Sequence, residues 1–125
     1  MNVVDSSGWI EYFFGRPNAA FFRPAICDTS NLIVPAIAVY EVARYIGRVA
    51  GRDAAQEAAA QMQRARIAEL DAVLALAAAR AGLKYNLPLP DSIVFATAQW
   101  HSAKLYTQDA DFEKIPGVKY VRKNG

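Results

Sequence analysis

Four of the chain's twelve carboxylates stand in places that solvation alone does not account for. Asp5 ends the first β-branched run, Asn2-Val3-Val4. Asp109 lies two residues beyond the end of Lys104-Leu105-Tyr106-Thr107, and Asp91 follows Leu87-Pro88-Leu89-Pro90 at the start of an apolar helix. Glu41 is the only charge between Asp28 and Arg44. In an open α/β sheet, sites form beyond the carboxyl ends of the strands, where the strand order reverses. Asp5 and Asp109 fall at such ends, and helix starts that follow strands lie on the same edge. Each aspartate also has a plainer reading. Asp5 and Asp91 suit helix N-caps, and Asp109 suits a turn. Glu41, about a turn and a half into its helix, has no capping role. Its plain reading is an ion pair with Arg44 at i+3 on an exposed face, the i+4 position being Tyr45. Capping and chemistry are compatible, since one oxygen can cap while the other binds. Four carboxylates brought together would repel one another without a cation. Oxygen donors with no His or Cys suit Mg²⁺ or Mn²⁺ rather than Zn²⁺.

The elements that must position these acids are legible in outline. Strands are expected at Asn2 to Asp5, Asn31 to Pro35, Ile67 to Leu70, Lys104 to Thr107 and Lys119 to Val121. Asp5 or Ser6 should cap a helix over Trp9 to Phe14, ended by Gly15 and Pro17. A short helix over Asn18 to Phe22 should close before Pro24. Ala36 to Val49 should be helical with Gly51 as its stop, followed by Asp53 to Met62 capped by Asp53. Asp71 should cap an alanine-rich helix to Ala81, with Gly82 to Pro90 a loop. Asp91-Ser92 should cap Ile93 to Trp100, and Ala110 to Lys114 should form one helical turn. Short apolar strands alternating with helices imply α/β with a parallel sheet and right-handed crossovers.

Bulk properties narrow the classes. The length of 125 residues fits a single domain over 1–125, and 54% hydrophobic residues exclude a disordered chain. The net charge of +2 leaves any attraction for a polyanion to local clustering. Arg44, Arg48 and Arg52 recur at i, i+4 and i+8 and could track a phosphate backbone; the plainer reading is a solvated face. The one cysteine, Cys27, excludes an internal disulfide and fits a reducing cytoplasm. Neither a signal peptide nor a membrane span is expected. His101 is expected at a helix end. Tyr40, Tyr45 and the Trp9-Tyr12-Phe13 group are expected in the core or at a dimer interface.

Four segments, Val3-Val4-Asp5-Ser6-Ser7-Gly8-Trp9-Ile10, Val34-Pro35-Ala36-Ile37-Ala38-Val39-Tyr40-Glu41-Val42, Leu89-Pro90-Asp91-Ser92-Ile93-Val94-Phe95-Ala96-Thr97-Ala98 and Leu105-Tyr106-Thr107-Gln108-Asp109-Ala110-Asp111-Phe112, occur in this order. Together they resemble the sequence blocks of VapC-type toxins of the PIN-domain ribonuclease family. The resemblance implies a PIN-like three-layer α/β fold with a five-stranded parallel sheet of order 3-2-1-4-5. It implies an acidic site of Asp5, Glu41, Asp91 and Asp109. Asp5, Asp91 and Asp109 would hold Mg²⁺ (or Mn²⁺), Glu41 would hold or polarise a water, and Ser6 and Thr107 would orient neighbouring carboxylates. The implied activity is endoribonuclease cleavage of structured RNA, tRNA or rRNA, which would inhibit translation. The implied partners are a VapB-like antitoxin and a second copy of the chain. Relatives often carry Ser or Thr near the start of the helix bearing the Glu, where this chain has Ala36 and Ala38.

Other classes fit less well. A haloacid-dehalogenase phosphatase would need a second Asp two residues after Asp5, where Ser7 stands. A phospho-receiver would need a Lys closing a later strand, and Gln108 follows Thr107. A non-catalytic PIN-like scaffold binding RNA or protein would have no reason to keep all four acids.

Overall fold

The computed structural model describes residues 1–124. Its strands are β1 (Asn2–Val4), β2 (Leu32–Pro35), β3 (Arg66–Ala68), β4 (Lys104–Thr107) and β5 (Lys119–Tyr120). Its helices are α1 (Ser6–Phe13), α2 (Ala19–Cys27), α3 (Ala36–Ala50), α4 (Arg52–Met62), α5 (Ala72–Tyr85) and α6 (Leu89–Trp100). The strands form one sheet in the order β3-β2-β1-β4-β5, all neighbours parallel. This is the expected order.

The alternation of side chains along each strand sorts the core into two layers. Val4, Leu32 and Val34 pack with Trp9, Phe22, Ala38, Val42 and Met62, on the side of α1 to α4. Val3, Ile33 and Leu105 pack with Val94, Phe95, Ala98 and Phe112, on the side of α6. Among the described residues no helix is long and apolar enough to cross a membrane.

The chain runs outward from β1 through β2 to β3, then returns to place β4 on the other side of β1. The order reverses between β1 and β4. Helices entering there splay apart and leave a crevice beyond the carboxyl ends of both strands. Asp5 and Thr107 stand at that edge.

Five local expectations need correction. The second helix does not close before Pro24 but runs through it to Cys27. Proline costs about 3 kcal/mol in a helix interior. Burial of Phe22, Ala25 and Ile26 against the α1–α4 core offsets it, at roughly 1.5–3 kcal/mol for each large apolar side chain. Helix α4 opens one residue early, after Gly51 at φ 96°, and Asp53 lies in its first turn rather than capping it. Gly82 does not stop α5, which continues to Tyr85 and ends at Asn86 in the left-handed conformation, φ 54°. Gly82 lies where the helix packs against α6, since a Cβ there would stand 3.4 Å from the Ser92 Cβ, about van der Waals contact. Finally, α6 begins at Leu89 and not beyond Ser92. Its Ser92 N–H donates to the Pro88 carbonyl at 2.9 Å and the Ser92 hydroxyl to the Leu89 carbonyl at 2.7 Å. Asp91 is thus the third residue of the helix, and no side chain caps the helix start. Strand β3 also sits slightly earlier than expected, because Ile67 pairs with Val34 and Ala68 with Pro35.

Candidate active site

Asp5 forms the floor of the crevice. It caps α1, its Oδ1 accepting the Gly8 N–H at 3.0 Å and the Ser7 hydroxyl at 2.8 Å. Its Oδ2 accepts the Thr107 hydroxyl at 2.6 Å. Capping and site therefore coexist in one residue. The chain enters α1 at Gly8 only because glycine has no side chain. A Cβ there would lie 2.7 Å from the Phe22 ring and from Val4 Cγ1.

Thr107 is buried and serves two acids at once. Its hydroxyl donates to Asp5 and accepts the Asp109 N–H at 2.9 Å. Asp109 closes the turn that follows β4, its Oδ1 accepting the Asp111 N–H at 2.9 Å. That turn is a short 3₁₀ segment, Ala110–Phe112, anchored by the buried Phe112. One oxygen each of Asp91, Asp109 and Asp111 lies within 4.8 Å of the others.

Asp91 reaches this group from the first turn of α6 without a capping duty. Glu41 reaches it from α3, where it is half-buried. The plainer reading of Glu41, an ion pair with Arg44, is not what forms, since the Arg44 Nη1 donates to the Tyr40 hydroxyl at 3.2 Å. The groups that act on Glu41 are Ser6, whose hydroxyl stabilises its charge, and Asp109, whose charge opposes it. Ser6, and not Ala36 or Ala38, is therefore the hydroxyl residue near Glu41.

The electrostatics follow from crowding and burial. Burial pushes Asp5 from 3.8 up to about 6, against the hydrogen bonds from Thr107, Ser7 and Gly8. Burial, then the charge of Asp109, a hydrogen bond with Asp111 and the charge of Asp5, push Asp91 up to about 8. Burial also raises Glu41. Asp109 adds to the rise in all three. Burial and crowding thus disfavour ionisation of these acids, a penalty that a cation among them would relieve. The donor set is oxygen only and crowded, so it fits a hard divalent cation.

The chain matches the PIN domain family's sequence profile over residues 3–118. It belongs to the PIN-domain family. Its fold is close to one chain of a toxin–antitoxin complex from Klebsiella pneumoniae, with 26% identity, a TM-score of 0.77, and coverage of 94% of this chain and 95% of that one. It is also close to VapC20 of Mycobacterium tuberculosis, a toxin that cleaves the sarcin–ricin loop, at 21% identity and a TM-score of 0.80, covering 98% and 100% of the two chains. DNA-bound VapBC from Salmonella typhimurium shares the fold at 14% identity and a TM-score of 0.76, with 98% of each chain covered. No curated protein gives a significant match.

In this PIN domain, the four acids expected from the sequence stand around one crevice, with Ser6 and Thr107 beside them. Two contributors were not assigned from the sequence. Asp111 joins Asp91 and Asp109 on the solvent side, and its place two residues after Asp109 was the available signal. Ser7, rather than Ser6, is the serine that binds Asp5. The basic stripe is shorter than expected. Helix α3 ends at Ala50 and Gly51 turns the chain, so Arg52 opens α4 and leaves Arg44 and Arg48 beside Glu41. Trp9 is buried, whereas Tyr40 is 60% exposed. The most exposed large apolar side chains lie elsewhere, on α5 and at the start of α6, at Leu76, Leu83 and Leu89. His101 ends α6, as expected.

Proposed function

We propose that this chain, one PIN domain over residues 1–125, is the ribonuclease toxin of a toxin–antitoxin pair. It would cleave phosphodiester bonds of structured RNA, tRNA or rRNA, and so inhibit translation. The observation that carries this reading is the convergence of Asp5, Glu41, Asp91 and Asp109 at the strand-order reversal, with Asp91 free of any capping role. Asp5, Asp91 and Asp109 would hold Mg²⁺ or Mn²⁺, with Asp111 on the outer side. When bound, the cation neutralises phosphate charge and makes water a better nucleophile at neutral pH.

The chain's own residues divide the remaining work. Thr107, Ser7 and the Gly8 amide lock the Asp5 carboxylate, so it need not reorganise when charge arrives. The Asp109 backbone is held through the same threonine hydroxyl. Glu41, half-buried and raised in pKa, is placed to orient a water and take its proton at a carboxylate oxygen. Arg44 and Arg48 lie beside it and would contact the RNA backbone, with Arg52 further along.

A VapB-like antitoxin is the proposed protein partner, in line with the complexes among the structural neighbours. A homodimer is proposed as well, with the apolar face at Leu76, Leu83 and Leu89 supplying contact area. Sedimentation as a dimer at concentrations on the order of tens of micromolar, and as a monomer for Leu83→Glu, is the expected result. A wild-type monomer there would refute the dimer. Its proposed compartment is the cytoplasm, which suits the free thiol of Cys27. The test of activity is cleavage of total cellular RNA with Mg²⁺ and with excess chelator. Discrete cleavage products that vanish with chelator are expected. Intact RNA under both conditions would refute the assignment.

A further inference from the structure

Asp109 opens onto a cleft of about 920 Å³. Ser7, Asp109, Glu113, Tyr120, Arg122 and Lys123 are among the residues that line it. The charge of the chain is unevenly spread. It nets only +2 overall, yet from Lys114 onward it carries Lys114, Lys119, Arg122 and Lys123 and no carboxylate side chain.

The backbone of this basic segment is fixed to the site. The Val121 N–H donates to the Thr107 carbonyl at 3.0 Å, carrying the β4–β5 pairing past Tyr120. The Asn18 side-chain amide donates to the Arg122 carbonyl at 3.0 Å and to Gln108 Oε1 at 2.9 Å. Asn124 in turn donates to Asn18 Oδ1 at 3.1 Å. Beneath them, buried Glu11 accepts the Asn18 N–H at 2.9 Å and the Gln108 Nε2 at 3.1 Å. A buried polar network of this kind survives only when its members satisfy one another, and it then rigidifies what it joins. Gln108 lies between Thr107 and Asp109, so the same network joins the acids to Arg122.

Another group of cations stands beside Glu41. The Arg16 guanidinium lies 4.8 Å from the Phe14 ring centre and donates to the Tyr45 hydroxyl at 2.9 Å. Arg48 lies 5.5 Å from the Tyr45 ring centre, and Arg44 binds the hydroxyl of exposed Tyr40. An acidic crevice by itself repels a polyanion, and a strand reaches it only if cations nearby hold its backbone.

We propose that Arg122 and Lys123, held by the Glu11–Asn18–Gln108 network, form a second phosphate-contacting wall. An RNA strand then crosses the acids from the Arg44–Arg48 side to this one. The proposal rests on the ribonuclease reading and deepens it. The ligand is the phosphodiester backbone of single-stranded or looped RNA, bound without regard to base.

The test is fluorescence anisotropy of a short fluorescein-labelled single-stranded RNA with the full chain, in chelator, over a salt series. Arg122 and Lys123 are exposed, so the double variant R122A/K123A should fold, and its melting temperature checks this. Loss of two phosphate contacts should weaken binding roughly tenfold and reduce the salt slope by about 1.4. R44A/R48A should have a similar effect. Unchanged affinity and slope for R122A/K123A would overturn the proposal and leave the wall to a protein partner. Failure of the wild type to bind RNA even at low salt would overturn both the wall and the ribonuclease reading. RNA binding that the variant loses, in a protein that cleaves nothing, supports the wall and refutes the nuclease.

Discussion

Replacing Asp109 with Asn removes one negative charge while keeping the local turn. Asparagine retains the Oδ1 that accepts the Asp111 N–H. The charge of Asp109 opposes ionisation of Asp5, Glu41 and Asp91 together. Asp91 is lifted from 3.8 to about 8, with burial the larger cause and Asp109 the next. Relieving a like-charge repulsion at the partly exposed Asp91 is worth about 1 kcal/mol after solvent screening. Asp5 adds a smaller share, so the total is about 1–2 kcal/mol, or a rise of about 3–8 °C in Tm for a domain of this size. The sign with pH follows from linkage. A carboxyl with a raised folded-state pKa binds its proton more tightly folded than unfolded. The stability it carries is present below the ordinary value of 3.8 and is lost as pH rises through about 6 for Asp5 and about 8 for Asp91. The advantage of the variant should therefore be greatest near about pH 9 and fade toward about pH 5, where Asp91 is protonated in the folded protein. Mg²⁺ should raise the wild-type Tm at the higher pH, and raise that of the variant less. Melting curves in chelator and in Mg²⁺ at both pH values measure all of this. A variant that melts at or below the wild type at both, with no response of either protein to Mg²⁺, would refute the reasoning and reduce Asp109 to a turn residue.

Two further substitutions probe the scaffold. Gly8→Ala should cost about 1–3 kcal/mol, because its Cβ would meet the Phe22 ring and Val4 at 2.7 Å; a urea midpoint equal to the wild type would show that the contact relaxes freely. Thr107→Val should leave a buried oxygen of Asp5 without its donor, at a cost of about 1–3 kcal/mol, and raise the Asp5 pKa above about 6. Carboxyl-carbon NMR titration reads this directly, Thr107→Ser should behave as the wild type, and an unmoved Asp5 in the valine variant would remove threonine from the site.

Much of this arrangement is legible in the sequence, for identifiable reasons. Strand β2 announces itself as a continuous apolar run stopped by Pro35, because a strand covered on both faces admits no polar alternation. Asp5 and Thr107 fall at strand ends, and their meeting follows from strand order alone. What local reading misses depends on tertiary packing. Pro24 looks like a stop, and only the buried face of Phe22, Ala25 and Ile26 carries α2 past it. Gly82 looks like a stop as well, yet α5 runs through it and ends only at Asn86. Asp91 looks like a cap, yet the helix already begins at Leu89, after Pro88, which releases the carboxylate to the crevice. The hydroxyl beside Glu41 comes from Ser6, thirty-five positions earlier in the chain and on another helix. Glu11, Asn18 and Gln108 are unremarkable apart, and their network exists only once α1, β4 and the segment after β5 are joined.

The central claim is that a crowded oxygen site containing Asp91 does metal-dependent RNA cleavage. Its most direct test is the cleavage rate of one RNA by the wild type and by Asp91→Asn, at equal protein concentration and saturating Mg²⁺, with melting curves showing both folded. The account predicts a loss of at least about a hundredfold for the variant, since a group binding the cation directly should matter more than the outer partners whose removal costs 10–100-fold. Cleavage by Asp91→Asn at the wild-type rate would contradict it.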